Sequence, residues 1–476
     1  MRKFLFTVAL FYFTCLNSQA QGYQVTVESN YKSGIAYLAF HSGGSNFSVQ
    51  DSAATSNKGI AVFKGTNTLP GGIYAIVFPG KNFSADFLLD KEQHISIKAD
   101  TTNLANMSVS GSKENILFQQ YQQFVNAKGI KLTQEKNAYR QATSAKDSLF
   151  HEMNYNRYNN ELNAYRNEII KTQPTSMMAS LLSAMKEPAL PTKLPRTLQD
   201  SVDNYNFYKQ HYWDGITFMD ERIIRTPFFL PRLERYYREV MPQAADSIIK
   251  DLDYKLLLAR TAPEMYKYLL NWLTDEYLNP KYMGQDAVFV HLFEKYHSKG
   301  LTSWLNQKQL EIISRRAYMQ MANLIGEKAA NIEMLDTAGK PLALYDVNAA
   351  YTVLVFWDPN CGHCKEELPK IDSIYRASWH RNNVKIYAVL TENDKSAWLK
   401  YIQLHNLGDW ENVYETPEMA AAAAAAQKPG FRQLFDVTLT PTLFLLDKDK
   451  RIIGKKLSWQ QLNEFLLLKI NSTKKS

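Results

Sequence analysis

A run of apolar residues that ends in two closely spaced cysteines constrains the fold of this chain more than any other stretch. Residues 353–357 are continuously apolar, as a strand buried on both faces would be. Asp358-Pro359 breaks the run, Cys361 and Cys364 follow, and a helix-favouring segment begins there. The backbone N–H groups at a helix N-terminus stabilise a thiolate, so the pattern predicts a redox-active cysteine pair at a strand-to-helix junction.

The cysteine content of the whole chain supports the same interpretation. Its three cysteines are Cys15, Cys361 and Cys364. A secreted protein stabilised by disulfides would carry more of them at wider spacings, and a loop closed by two cysteines three residues apart stabilises little. A structural zinc site needs four ligands, and the sequence has no second Cys-x-x-Cys and no paired histidine spacing. Reversible thiol chemistry is therefore favoured over an inert disulfide or a metal site.

The residues around the cysteines resemble a known family. Phe356-Trp357 precede the pair, Pro369 lies eight residues after the first cysteine, and Thr440-Pro441 lies about eighty residues after it. Glu367 completes a Cys-x-x-Cys-x-x-Glu-x-Pro pattern. This combination is similar to the thioredoxin superfamily, and especially to the TlpA/ResA-like thiol-disulfide oxidoreductases of bacterial cell envelopes. The resemblance covers about residues 326–472 and implies a thioredoxin fold that needs no bound organic cofactor.

The two cysteines of the pair are expected to have different roles. Cys361 lies at the predicted helix start, so we expect it to be the attacking thiolate, with a pKa below roughly 8.5. Cys364 would then be the resolving thiol of a redox-active disulfide. His363 lies between them. Its imidazolium would favour the thiolate and make the disulfide a better oxidant; the alternative is a solvated spacer.

A proton acceptor for the resolving thiol is implied by the resemblance. Thioredoxin has a buried acid six residues before its first cysteine, and Val355 occupies that position here. The TlpA/ResA-like pattern offers Glu367 instead, which would accept the proton of Cys364. The alternative is a solvated helix glutamate like the neighbouring Glu366.

The same resemblance indicates where a substrate binds. If the peptide bond before Pro441 is cis, the backbone of Thr440 lies beside Cys361, where an extended partner chain can form hydrogen bonds. Thr440, Pro441 and Trp357 are therefore expected to contact the substrate.

Several other function classes do not fit the sequence. Its formal net charge of +8 is scattered and mixed with acidic residues, so nucleic acid is not an expected partner. A peroxiredoxin has a threonine three residues before its cysteine, where Asp358 stands. A copper chaperone of the Sco kind uses a wider cysteine pair with a distant histidine.

The first twenty residues are typical of a secretory signal. Arg2-Lys3 precede an apolar segment, and Ser18-Gln19-Ala20 forms a small-x-small site, which predicts cleavage after Ala20. The alternatives are an uncleaved anchor, for which the apolar run is short, and a lipoprotein acylated at Cys15, which bulky residues precede. We therefore expect a periplasmic or cell-envelope protein. Its expected partners are disulfide-containing envelope proteins and an upstream membrane or periplasmic electron donor.

The length of 476 residues suggests about three domains after the signal peptide at 1–20. Short alternating segments bounded by Gly, Pro or Asn predict a sandwich-like β domain at 21–111, similar to the DUF4369 modules of exported Bacteroidetes proteins. Helical periodicity predicts an all-α domain at 112–325, similar to helical spacers in such proteins. Residues 326–476 predict a thioredoxin fold. The fold class is therefore multidomain, α+β and α/β.

Two functions are compatible with this organisation. The first is an exported thiol-disulfide oxidoreductase that exchanges or reduces disulfides of envelope proteins through its Cys-Gly-His-Cys centre. The second is an envelope binding or scaffold protein whose first 325 residues hold a partner. The direction of electron flow stays open, because Cys-Gly-His-Cys is also the tetrapeptide of oxidising disulfide isomerases, whereas TlpA/ResA-like proteins are mostly reducing. The specific substrates, the electron donor and the oligomeric state also stay open.

Overall fold

A computed structural model of the chain describes residues 22–44, 46–104 and 107–473. The predicted signal peptide, including Cys15 and Ala20, lies outside these described residues. Within them, none of the helices combines the length and the apolar character needed to cross a bilayer. The chain divides into two compact units, the first formed by the described residues up to Met241 with 257–268, and the second by 242–256 with the described residues from 269 onward.

Two antiparallel-rich sheets form the start of the first unit. Their strands are β1 (Gln24–Ser29), β2 (Ile35–Gly43), β3 (Asn46–Ala54), β4 (Ile60–Lys64), β5 (Gly72–Val77), β6 (Ser84–Leu89), β7 (His94–Ala99) and β8 (Ser108–Ser110). The sheet orders are β4-β1-β7-β8 and β3-β2-β5-β6. Buried residues of both sheets, such as Val25 and Phe87, share one apolar core. The predicted sandwich-like fold is confirmed.

Helices dominate the middle of the chain, as predicted. They are α1 (Lys113–Gln141), α2 (Ala145–Thr172), α3 (Met177–Ala184), α4 (Leu198–Gln210), α5 (Phe229–Arg235), α6 (Ala245–Ala259), α7 (Pro263–Leu278), α8 (Asp286–Leu292) and α9 (Gln307–Met321). Helices α1 and α2 begin at the capping side chains of Ser112 and Ser144. Helices α5 and α8 are each followed by a short π-helical segment, Tyr236–Val240 after α5 and Phe293–His297 after α8.

A seven-stranded mixed sheet forms the core of the second unit. Its elements are β9 (Glu333–Asp336), β10 (Pro341–Ala343), β11 (Tyr351–Trp357), α10 (Gly362–Ile374), β12 (Val384–Leu390), α11 (Lys395–Leu404), β13 (Glu411–Tyr414), α12 (Pro417–Ala425), α13 (Phe431–Leu434), β14 (Thr442–Asp447), β15 (Ile452–Lys455) and α14 (Trp459–Thr473). The strand order is β10-β9-β13-β12-β11-β14-β15, with β11 parallel to β12 and antiparallel to β14.

The central strand β11 is covered on both faces, which explains its unbroken apolar sequence. Val353, Val355 and Trp357 pack in one apolar layer, and Leu354 and Phe356 pack in the layer on the opposite face. The strand is thus buried up to its carboxyl end, where the two cysteines follow. The predicted thioredoxin-like sheet is confirmed, whereas the predicted domain boundary at 325/326 stays a prediction.

Candidate active site

The candidate site lies where β11 passes into α10. The carbonyl of Asp358 accepts a hydrogen bond from the N–H of Cys361 at 3.2 Å, which closes the connecting turn. Cys361 is the N-cap residue of α10, and its Sγ accepts a hydrogen bond from the N–H of Cys364 at 3.5 Å. A sulfur in this position faces the positive end of the helix dipole, which favours the thiolate over the thiol.

The two cysteines are both thiols, and they differ in exposure and in pKa. Partial burial raises the pKa of Cys361, but hydrogen bonds from the Thr440 side chain and from the backbone of Cys364 and His363 outweigh this effect and lower the pKa below its ordinary value. Burial raises the pKa of Cys364 to about 12. One sulfur therefore ionises readily while its neighbour keeps its proton.

The loop that precedes β14 forms the other side of the site. The Thr440–Pro441 peptide bond is cis, and the Cys361 thiol donates a hydrogen bond to the carbonyl of Thr440 at 3.3 Å. The structure thus brings together Thr440, Pro441 and Cys361, which are far apart in sequence. Contact of Thr440 and Pro441 with a substrate stays a prediction.

The two remaining polar residues of the predicted site lie on α10. His363 is exposed in the first turn of the helix. Glu367 is half-buried and follows Cys364 by three residues, a spacing that puts both side chains on one face of the helix. The structure therefore makes Glu367 a neighbour of the inner cysteine along the helix, whereas the exposed Glu366 points to a different face.

The expected substrate contact of Trp357 is not compatible with the structure. Its side chain has no exposed surface, and its ring packs against Tyr401 with centroids 5.2 Å apart. The carbonyl of Trp357 accepts hydrogen bonds from the N–H and the hydroxyl of Thr391 at 2.9 and 3.1 Å. Because side chains alternate between the two faces of β11, the side chain of Trp357 points into the core. It packs there at the end of the strand that leads into the cysteine loop.

Tyr401 is a neighbour of the site that the sequence analysis missed. It lies on α11, is 8% exposed, and belongs to the same apolar cluster as Cys364. Burial and the nearby sulfur of Cys364 raise the pKa of its hydroxyl. No sequence motif marks Tyr401, because β12 separates α11 from the cysteines along the chain. The available signal was the helical spacing between Tyr401 and the apolar residue Trp398.

The difference between the two thiols predicts a pH-dependent pattern of alkylation. Because thiolates react with iodoacetamide, the rate at Cys361 should rise with pH through a midpoint below that of N-acetylcysteine measured in parallel. The variants Cys364→Ser and Cys361→Ser isolate each thiol, and Cys364 should stay unmodified at neutral pH because it is buried. Mass spectrometry between pH 5 and 10 measures both rates. A midpoint for Cys361 at or above that of N-acetylcysteine would contradict the prediction.

Comparison with known proteins agrees with this geometry. Family models match at residues 325–454 (AhpC/TSA family), 131–325 (domain of unknown function DUF5106) and 23–118 (domain of unknown function DUF4369). Thiol-disulfide oxidoreductase ResA of Bacillus thuringiensis subsp. konkukian is 26% identical over 146 residues, which are 30% of this chain and 76% of the relative. For ResA of Bacillus subtilis the identity is 26% over 128 residues, 27% of this chain and 64% of the relative.

Solved structures are similar as well. A domain of a possible thiol-disulfide isomerase from Cytophaga hutchinsonii is 36% identical, covering 32% of this chain and 97% of that chain, with a TM-score of 0.28. A thioredoxin-like protein from Bacteroides caccae is 20% identical, covering 60% of this chain and 99% of that chain, with a TM-score of 0.46. The AhpC/TSA match includes both cysteines and Thr440-Pro441. This chain therefore carries a thioredoxin-like domain of the AhpC/TSA family that is similar to thiol-disulfide oxidoreductase ResA, and an N-terminal DUF4369 domain.

Proposed function

We propose that Cys361 and Cys364 are the redox centre through which this enzyme reduces or exchanges disulfides of cell-envelope proteins. The observation that carries the proposal is the position of Cys361 at the N-cap of α10, half-exposed and with a lowered pKa, beside a buried Cys364 whose pKa is raised to about 12. In such a pair the first sulfur attacks the client disulfide, and the second stays protonated until the mixed disulfide has formed.

The proposed reaction has two exchange steps. The Cys361 thiolate attacks a client disulfide, forms a mixed disulfide and releases one client sulfur as a thiolate. Cys364 then loses its proton and attacks the Cys361 sulfur, which forms the Cys361–Cys364 disulfide and releases the second client sulfur. Two electrons pass to the client, so an upstream dithiol donor must reduce the centre again. The same steps in reverse oxidise a client dithiol.

Three nearby residues have proposed supporting roles. Glu367 accepts the proton of Cys364, whose pKa is too high for spontaneous ionisation at neutral pH. The positive charge of a protonated His363 side chain favours the thiolate form of Cys361. The backbone of Thr440 pairs with the extended client chain on the exposed side of Cys361.

The role of Glu367 predicts a selective defect in the second step. Glu367→Gln should slow resolution of the mixed disulfide by about 10²-fold, because general-base catalysis typically contributes at least that much. The exposed neighbour Glu366→Gln is the matched control and should resolve the adduct at the wild-type rate. Rapid acid quench followed by mass spectrometry measures the adduct lifetime. Equal lifetimes in both variants would remove Glu367 from the mechanism.

The cellular setting and the division of the chain are part of the proposal. We infer that residues 1–20 direct export and are cleaved after Ala20, so the enzyme works in the periplasm or cell envelope. Residues 326–476 would then form the catalytic domain, with the β domain at 21–111 and the helical domain at 112–325 preceding it.

Reduction of insulin and refolding of scrambled ribonuclease test the function. The chain without residues 1–20 should accelerate both reactions in the presence of dithiothreitol, because each needs attack on a protein disulfide. The double variant Cys361→Ser/Cys364→Ser, with unchanged circular dichroism, is the control. Equal rates with the wild-type chain and the double variant would refute the proposed redox centre.

A further inference from the structure

A cavity of about 430 Å³ lies in the second unit, next to the loop that forms one side of the candidate site. Thr438 of this loop lines the cavity, and the carbonyl of Thr440, two residues later, lies 3.3 Å from the Sγ of Cys361. Two residues span at most about 7 Å. A client chain attached to Cys361 and running along this loop would therefore reach the cavity within a few residues.

The cavity carries an excess of positive charge. Among the described residues that line it, the basic ones are Lys281, Arg316, Lys455 and Lys456, and the acidic ones are Asp286 and Asp436. Both carboxylates already have basic partners within the protein: Asp436 pairs with Arg316 and Lys456, and Asp286 pairs with Lys455.

The cation best placed to meet a ligand is Lys281. Its side chain is exposed at the cavity, and it has no acidic partner among the residues that the structure describes. A carboxylate entering the cavity would meet the ammonium of Lys281 as well as the cations that are paired with Asp436. Charge complementarity thus favours an anionic group over a neutral or cationic one.

Exposed apolar side chains next to the cavity favour a peptide as the carrier of that group. Tyr282 and Met283 line the cavity and are 53% and 43% exposed. Leu439, between Thr438 and Thr440, is 77% exposed. These side chains offer apolar contact to an extended client segment on its way from Cys361 to the cavity.

We propose that this cavity selects disulfide clients that carry an aspartate or glutamate two to four residues from the cysteine that Cys361 attacks. The inference rests on the proposed function, because it assumes that a client is bound at Cys361. It makes Lys281 a specificity-determining residue that contacts the client away from the reacting sulfurs.

Single-turnover reduction of short peptides tests this proposal. Each peptide carries one cysteine as a mixed disulfide with 2-mercaptoethanol, and a Glu, Gln or Lys three residues away. The chain is first reduced with dithiothreitol and then freed of it, so its own dithiol supplies the two electrons. At low salt the second-order rate constant should be about five- to tenfold higher for the Glu peptide than for the Gln peptide, and lowest for the Lys peptide. At high salt the difference should shrink.

The variant Lys281→Glu should abolish or reverse this preference, whereas the exposed Lys340→Glu on the β9–β10 turn should preserve it. The control variant Lys340→Glu should reduce the neutral hydroxyethyl disulfide at the wild-type rate. If the Glu and Gln peptides react equally, or if the preference survives in Lys281→Glu, the cavity assignment is overturned while the redox function stands. If hydroxyethyl disulfide is not reduced at all, the proposed redox function fails and this inference fails with it.

Discussion

Cys361→Ser is expected to lower the rate constant for reduction of a protein disulfide by about 10³-fold or more. A serine hydroxyl stays protonated at neutral pH, so it cannot replace the thiolate that the α10 N-terminus and the hydrogen bond from the Thr440 side chain stabilise. The remaining thiol, Cys364, is fully buried and has a pKa of about 12, which makes it a poor substitute. Insulin turbidity and a fluorescent disulfide peptide measure the loss.

Cys364→Ser should give a different result. The thiolate of Cys361 is retained, so the first exchange proceeds, but no inner thiol is present to release the client. A covalent mixed disulfide should therefore accumulate and be visible by non-reducing electrophoresis and mass spectrometry. Accumulation of the adduct in Cys361→Ser, with none in Cys364→Ser, would exchange the roles of the two cysteines.

Phe356→Ala is expected to destabilise the second unit by about 3–5 kcal/mol, because it leaves a large cavity in a packed core. The ring is fully buried and lies 5.8, 5.1 and 6.1 Å from the rings of Phe431, Phe435 and Phe444. Phe356→Leu retains most of the volume and should cost about 1.5 kcal/mol or less.

Urea unfolding followed by tryptophan fluorescence and far-ultraviolet circular dichroism measures these differences. Phe83→Ala is the control, since this side chain is 45% exposed in the first unit and its loss should change the free energy of unfolding little. A destabilisation below about 1 kcal/mol for Phe356→Ala would mean that the aromatic layer beneath β11 contributes less than its burial indicates.

Most parts of the site that the sequence predicted are encoded locally, whereas the position of Thr440-Pro441 beside Cys361 was implied by the family resemblance. The strand-to-helix junction, the cysteine spacing and the position of Glu367 depend on neighbouring residues, so periodicity and motif spacing are sufficient to locate them. The buried state of Trp357 and the presence of Tyr401 depend on how α11 packs against β11. That packing joins residues more than forty positions apart, and one sequence contains no direct signal for it.

Two strands of the structure, β3 and β13, have weak sequence patterns. Strand β3 is exposed along most of its length and lacks an apolar face, because it pairs only with β2 at a sheet edge. Strand β13 has four residues and is recognised by its pairing with β12 and β9. Helix α10 ends at Ile374, and the turn that follows it, Tyr375–Trp379, is π-helical.

The ammonium of Lys455 has a consequence for work with fragments of this enzyme. It is buried at the end of β15, where Asp286 and the carbonyl and side chain of Asn323 surround it. A polypeptide truncated to 326–476 would lack these acceptors for Lys455, and it would lack Arg316 as a partner for Asp436. The segment that precedes the redox sheet therefore supplies the polar partners of two buried charged groups at its edge, and recombinant protein should begin well upstream of Asp286.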